Sequence, residues 1–204
     1  MEASAIRALK SVLGLPCWQV RWDNQVGLDM NFGAPRLEIR EPRASTSKSL
    51  RVRQLFAQRG VYLKGTHWLV AAPEVWRLRL GDGFEVRRTS SAKRLDIAVA
   101  RLSGEKLRTL EINARTGATT FRFDLGSTLE VRPPRQLHDD DLELWSLHAP
   151  INRYVAVFAG GLYRTGSTKT RDPVARPLDS ADNREYLVIG SARGVRRLLE
   201  AETS

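Results

Sequence analysis

Two stretches of the chain share one spacing of tryptophan, proline, glycine and arginine. They cover residues 68–90 and 145–167. In each stretch a proline follows the tryptophan by five residues, a glycine follows the proline by ten, and an arginine follows the glycine by four. Upstream of them, FGAPRLEIREPR resembles LGSTLEVRPPR. The shared spacing predicts one β-rich unit that is present twice, with Trp68 and Trp145 buried at equivalent positions.

The pattern of apolar residues within and before these stretches indicates strands. Leu37 and Ile39 alternate with charged neighbours, and Phe121, Phe123 and Leu125 do the same. A period of two with one polar face is typical of antiparallel sheets, so these apolar residues should face a core. We therefore predict a mainly β fold (α+β minor) with two tandem antiparallel β units of about six strands each. Internal duplication relates the units, a helix links them, and short helices lie near the termini.

The same patterns divide the chain into segments of one compact domain. In the first repeat Trp68 follows Pro42 by 26 positions, whereas in the second Trp145 follows Pro133 by 12. This difference predicts a basic insertion at 43–64 in the first copy, with a short amphipathic helix inside it. The first predicted segment, 1–90, holds an N-terminal helix and the first repeat, and the second, 91–107, is the linking helix. The second repeat covers 108–165. A loop with a C-terminal strand and helix covers 166–204.

The net charge of +10 and the isoelectric point of about 10.4 indicate an acidic partner, of which nucleic acid is the common case. The charge is unevenly distributed, because residues 43–67 contain six cations and no carboxylate. Such a run repels itself and is stabilised by an anionic ligand. Residues 161–171 form a second basic stretch that could touch phosphates. We predict that the partner contacts Lys48, Arg51, Arg53, Arg59, Lys64, Lys169 and Arg171.

Composition and the N-terminal sequence restrict the class of protein. With 42% hydrophobic and 27% charged residues, the chain has the composition of a globular protein. No apolar run approaches the ~20 residues of a membrane span, so no membrane partner is predicted. Lys10 interrupts the short apolar stretch at the N-terminus, which argues against a signal peptide and predicts a cytoplasmic location. Cys17 is the single cysteine and cannot form an internal disulfide.

No group of residues matches a catalytic or cofactor-binding motif. His67 and His148 are too few and too scattered for a metal site, and Cys17 has no implied histidine partner. Residues 161–170 contain glycines, hydroxyls and a lysine, but not in the order of a phosphate-binding loop. The polar sheet faces offer carboxylates that lie near arginines, and ion pairing explains them as well as acid–base chemistry does. These carboxylates are Asp29, Glu38, Asp124 and Glu130. We predict no catalytic residue, no metal and no cofactor.

Three segments carry a resemblance to a known family. They read FGAPRLEIREP, GTHWLV and FDLGSTLEVRP. With them the chain resembles an uncharacterised family of bacterial cytoplasmic proteins, in which an LEIREP strand, a following tryptophan and an FDLG strand recur in this order. The resemblance covers most of residues 10–167 and consists of strands and turns. It implies no activity and transfers no catalytic residue.

Three functions fit these observations. The preferred one is a non-enzymatic binding module for an acidic partner, most often nucleic acid and otherwise an acidic protein surface. The alternative is a bacterial accessory or immunity-type protein that binds one specific protein partner. The third is a metal-dependent hydrolase or nuclease that uses the acidic pairs. Salt-dependent binding to DNA and RNA separates the first function from the other two.

Overall fold

The computed structural model of the protein describes residues 1–73, 76–134, 142–150, 153–167, 176–178 and 186–190. The helices are α1 (Ala3–Lys10), α2 (Leu50–Phe56) and α3 (Ala92–Leu102). The first seven strands are β1 (Cys17–Asp23), β2 (Gly27–Phe32), β3 (Arg36–Arg40), β4 (Gly60–Lys64), β5 (His67–Ala71), β6 (Trp76–Arg79) and β7 (Glu85–Arg87). The remaining strands are β8 (Leu107–Asn113), β9 (Thr119–Phe123), β10 (Thr128–Val131), β11 (Glu143–Ala149), β12 (Arg153–Phe158), β13 (Leu162–Ser167), β14 (Arg176–Pro177) and β15 (Tyr186–Gly190).

Thirteen of these strands form two antiparallel sheets that share one hydrophobic core. The seven-stranded sheet has the order β1-β2-β5-β11-β12-β13-β14, and the six-stranded sheet has the order β15-β8-β9-β10-β6-β7. The two sheets touch where Trp145 meets Phe121 edge to face, with ring centroids 5.4 Å apart. The predicted mainly β fold, with two units and a linking helix, is confirmed. None of the described helices is long and apolar enough to cross a membrane.

Each unit divides its strands between the two sheets. In the first unit, β1, β2 and β5 lie side by side in the seven-stranded sheet, and the hairpin β6–β7 belongs to the other sheet. In the second unit, β8, β9 and β10 lie in the six-stranded sheet, and the hairpin β11–β12 belongs to the other one. The hairpin of each unit therefore pairs with the third strand of its partner unit, β11 with β5 and β6 with β10.

Two backbone hydrogen bonds near the start of the units are copies of each other, because each residue of one unit is replaced by the residue 90 positions away in the other. The N–H of Gly14 donates to the carbonyl of Leu107, and the N–H of Gly104 donates to the carbonyl of Cys17, both at 2.7 Å. The equivalent residues Pro16 and Lys106 lie opposite each other in an isolated antiparallel bridge. An approximate twofold axis therefore passes between these segments, and α3 is the counterpart of α1.

Buried helix faces and turns repeat at the same offset. The two helices and the residues just after α1 bury one small apolar face each, formed by Ala5, Ala8, Leu9 and Val12 in the first unit and by Leu95, Ala98, Val99 and Leu102 in the second. Asp23 accepts hydrogen bonds from the N–H groups two and three residues ahead of it, and Asn113 does the same. A short polar side chain at this point closes the turn after the first strand of each unit.

The strand register gives Trp145 a different counterpart from the predicted one. Trp145 lies opposite Ala71, and Trp76 lies opposite Val131 in the symmetry-related strand pair. Trp76 is therefore the counterpart of Trp145, and the predicted equivalence of Trp68 and Trp145 is wrong. The tryptophan spacing compares β5 with β11, which are neighbours in one sheet rather than copies of each other.

Only one of the two tryptophans is fully buried. Trp145 is 1% exposed, and its Nε1 donates a 2.8 Å hydrogen bond to the hydroxyl of Thr119. Trp68 points to the outer face of its sheet and is half-buried, with His148 stacked against it at 5.0 Å. The prediction that both tryptophans are largely buried is confirmed for Trp145, whereas Trp68 reaches only intermediate burial.

Three of the apolar residues that were expected to face the core are exposed. Leu37 and Ile39 are 67% and 57% exposed, because β3 pairs only with β4 in a separate two-stranded sheet. Leu125 is 72% exposed, because β9 ends at Phe123 and Leu125 lies in the turn that follows. The predicted C-terminal helix and most of the predicted loop at 166–184 lie outside the described residues.

We expect Trp145→Ala to lower the free energy of unfolding by about 3–5 kcal/mol, as for other core aromatics. Trp68→Ala should cost less, because part of its ring is already in contact with solvent. Urea denaturation of the two variants measures both losses. An equal loss in the two variants would contradict the difference in burial.

Candidate functional site

The connection between β2 and β5 forms an arm that has no counterpart in the second unit. Phe32 and His67 are paired in register, and 34 residues separate them. At the equivalent place, the N–H of Phe123 donates to the carbonyl of Ser127, and only three residues lie between them. We call residues 33–66 the arm; it contains β3, α2 and β4. The repeat can close without it, so the arm is an addition to the fold, and the predicted insertion at 43–64 lies inside it.

The arm is fixed to the seven-stranded sheet at its base. The N–H of Gly65 donates to the side-chain carbonyl of Asn31 at 2.9 Å, and the hydroxyl of Thr66 donates to the carbonyl of Phe32 at 3.2 Å. The ammonium group of Lys64 lies 4.7 Å from the centre of the Trp68 ring. A side chain at Gly65 would come within 2.5 Å of the Phe32 carbonyl oxygen, so this crossing requires glycine.

The two strands of the arm form a ribbon with two different faces. On one face Leu37 lies opposite Leu63 and Ile39 lies opposite Val61, and all four side chains are at least 47% exposed. On the other face Glu38 accepts from Arg40 at 2.8 Å and lies 3.3 Å from Lys64, while the Arg40 guanidinium covers the ring of Tyr62. We call the first face the apolar strip of the arm.

The predicted amphipathic helix is present as α2, between the two strands of the ribbon. The hydroxyl of Ser49 caps it by accepting from the N–H of Val52, and Arg53 donates to the carbonyls of Ser47 and Lys48 just before the helix. Its apolar residues Leu50 and Leu55 are exposed. They do not pack on the rest of the described protein outside the arm, which we call the body. The helix is therefore held by its own loop and not by the core.

The structure brings five of the seven predicted contact residues together on the arm. Lys48 and Arg51 are exposed, and their side chains make no hydrogen bond or ion pair within the described part of the chain. Arg59 binds Glu41 through two nitrogens at 3.0 and 2.8 Å. Arg53 holds the loop before α2, and Lys64 lies at the base. Lys169 and Arg171 lie outside the described residues.

The arm carries more positive charge than the sequence-based site included. Residues 33–66 hold eight cations and two carboxylates, a net charge of +6 out of +10 for the whole chain. Arg36 and Arg40 were left out of the predicted basic insertion, because β3 was taken as a core strand. The signal that could have found them is the length of the β2–β5 connection relative to the β9–β10 connection.

The carboxylates considered for acid–base chemistry form ion pairs. The shortest separations between carboxylate oxygen and arginine nitrogen are 3.4 Å at Asp29, 2.8 Å at Glu38, 3.9 Å at Asp124 and 2.7 Å at Glu130. Burial raises the pKa of Asp29, although the positive charge of Arg21 acts in the opposite direction. Among the described residues no three His, Cys, Asp or Glu side chains lie together as metal ligands. These groups act as charge pairs on the sheet faces.

His67 and Cys17 are parts of the core. The two ring nitrogens of His67 lie 2.8 Å from the hydroxyl of Ser11 and 3.1 Å from that of Thr66, and burial lowers the pKa of the imidazole. The thiol of Cys17 lies 3.1 Å from the carbonyl of Leu102, and burial raises its pKa to about 12. Neither group is accessible to a substrate.

The chain matches no protein-family model, no curated protein and no solved structure. No activity or ligand is therefore transferred from a relative, and the charge and geometry of the arm carry the functional argument.

We expect the thiol of Cys17 to resist modification in the folded protein, because it is buried and its pKa of about 12 leaves almost no thiolate at pH 8. An aromatic disulfide reagent should react with it only after denaturant has been added. Rapid stoichiometric reaction in buffer alone would contradict the buried position.

We expect the body to fold without the arm. Replacing residues 33–66 by Asp-Leu-Gly, the sequence at 124–126 that joins β9 to β10, gives the first unit the connection that the second unit already has. Circular dichroism should show a β-rich protein with one cooperative thermal transition. A loss of cooperative melting would show that the arm is required for folding.

Proposed function

We propose that the protein is a non-enzymatic binding module that uses its arm to bind an acidic partner, and that this partner is nucleic acid. The observation that supports this is the charge of the arm, +6 within 34 residues on a ribbon and helix that do not pack on the core. The fold does not need these residues, because the second unit closes the same connection with three. Retaining exposed, self-repelling charge is favoured when a polyanion neutralises it.

The dimensions of the ribbon are compatible with a nucleic-acid groove. Five residues in each strand give a length of about 17 Å. A two-stranded ribbon fits the major groove of B-form DNA, which is about 12 Å wide. Lys48 and Arg51 have long, flexible basic side chains, which are suited to contact phosphates rather than base edges. Binding should therefore depend strongly on salt and weakly on sequence.

A second candidate function, binding to one specific acidic protein, is favoured by the apolar strip. Four exposed aliphatic side chains flanked by cations suit an acidic protein surface that has an apolar groove. A bacterial accessory or immunity-type protein would bind its partner in this way. The cytoplasmic location stays a prediction. A nuclease is not proposed, because the carboxylates that it would need are ion-paired with arginines.

We expect the double variant Lys48→Gln/Arg51→Gln to bind nucleic acid more weakly and with a smaller salt dependence. Each lost phosphate contact should lower the slope of log K against log salt by about 0.7–0.9. These two side chains have no partner within the described residues, so the change should leave the arm folded. Fluorescence titration of generic duplex and single-stranded oligonucleotides at several salt concentrations measures the slope.

The matched control is Lys93→Gln/Arg115→Gln, which removes the same charge from outside the arm. Both side chains are exposed and make no hydrogen bond or ion pair with a described residue. Equal slopes in both double variants would exclude Lys48 and Arg51 from the interface. If the wild type does not bind nucleic acid even at low salt, the nucleic-acid proposal fails. The variant Leu37→Ser/Ile39→Thr then tests the protein partner, because it should abolish that interaction and not a phosphate contact.

A further inference from the structure

A second cluster of cations lies on the outer face of the six-stranded sheet. Arg77 on β6 lies directly opposite Arg87 on β7 and directly opposite Glu130 on β10. With Arg88 and Arg132 these residues line a cleft of about 320 Å³. Trp76 and Thr89 also line it. We call this the arginine cleft.

Positive charge exceeds negative charge in the arginine cleft. Glu130 accepts from Arg77 at 2.7 Å and forms an ion pair with Arg132 at 2.9 Å, so one carboxylate is shared by two guanidinium groups. Glu85 is 3.8 Å from Arg77. The guanidinium of Arg87 makes no hydrogen bond or ion pair with any described residue, although it faces Arg77. Like charges directly opposite each other on two strands destabilise a sheet, and an anion between them would remove this cost.

The other unit shows that the fold does not require these charges. Through the twofold relation, Arg77, Arg87 and Glu130 correspond to Ser146, Ala156 and Val70, which lie opposite one another in the same way. These three residues of the seven-stranded sheet keep the same backbone pairing, and none of them is charged. None of the residues that line the arginine cleft belongs to the arm.

We propose that the arginine cleft is a binding site for a single phosphate group, carried by a phosphomonoester or a phosphodiester. Arg77 and Arg87 would each donate to the phosphate oxygens, since guanidinium groups match the geometry of phosphate. Glu130 holds Arg77 and Arg132 in place and leaves their remaining N–H groups for the ligand. Arg87 is the residue whose side chain the ligand would engage most fully. The site does not depend on the function of the arm.

Arg87→Ala tests the site, because alanine stands at the equivalent position of the other unit and the sheet accepts it there. Inorganic phosphate should raise the melting temperature of the wild-type full chain above its value in chloride at equal ionic strength, since a ligand of the folded state stabilises it. The apparent affinity for phosphate should fall by about tenfold or more in Arg87→Ala, as for the loss of one charge-assisted contact. Arg115→Ala, at an exposed position elsewhere, should bind like the wild type.

Arg132→Gln provides a second test on a different strand and should also weaken phosphate binding. Equal binding of phosphate by the wild type and both cleft variants, or no stabilisation of the wild type over chloride, would overturn the proposal. A nucleoside 5′-monophosphate and a dinucleoside phosphate without a terminal phosphate then separate the two sources. Preference for the first assigns the site to a terminal phosphate, and equal binding of the two assigns it to a nucleic-acid backbone. The Lys48→Gln/Arg51→Gln variant should keep phosphate binding in either case, so a failure of the arm proposal remains distinguishable.

Discussion

The rest of the structure depends on two strand pairs, β5 with β11 and β10 with β6. Each pair joins one unit to the hairpin of the other and so builds both sheets from both halves of the chain. The core follows from this exchange, because Trp145 from one hairpin can reach Phe121 and Thr119 in the opposite sheet only when its strand pairs with β5. The arm extends from one of these sheets, and the arginine cleft lies on the other.

The arm shows how a charged element is held outside a core. An isolated two-stranded ribbon is marginally stable in water, and the ribbon of β3 and β4 buries neither face on the body. Contacts at its base set its direction, with Gly65 bonded to Asn31 and Lys64 against Trp68. Ion pairs of Glu38 and Glu41 with arginines neutralise only part of its charge. What remains is a basic element whose exposed apolar strip and free cations are available to a partner.

Much of the fold could be predicted from the sequence, because alternating strands, a helical stripe at 92–102 and turn residues such as Asp23 each leave a local signal. The partner of a strand leaves no such signal. Trp68 was therefore matched with Trp145, although the strand register makes Trp76 the counterpart of Trp145. Leu37 and Ile39 have the pattern of a core strand. They are exposed because β3 pairs with β4 and with no other strand.

For the site, composition indicated the basic segment but not its extent. Arg36 and Arg40 belong to the basic segment because they lie on the ribbon of the arm. This is recognised only when the β2–β5 connection is compared with the equivalent β9–β10 connection. The arginine cleft was missed for a similar reason. Arg77, Arg87 and Arg132 are spread over 56 residues of sequence, and strand register alone brings them together.

The exchange of hairpins has a consequence for how the chain can be divided. A fragment that held only the first unit would expose β5 and β6 as open edges, because both of their missing neighbours come from the second unit. Two such fragments could satisfy each other, as two subunits of a symmetric dimer do. The chain is in this sense like a dimer whose two subunits are joined in one chain, with an arm in the first where the second has a turn of three residues.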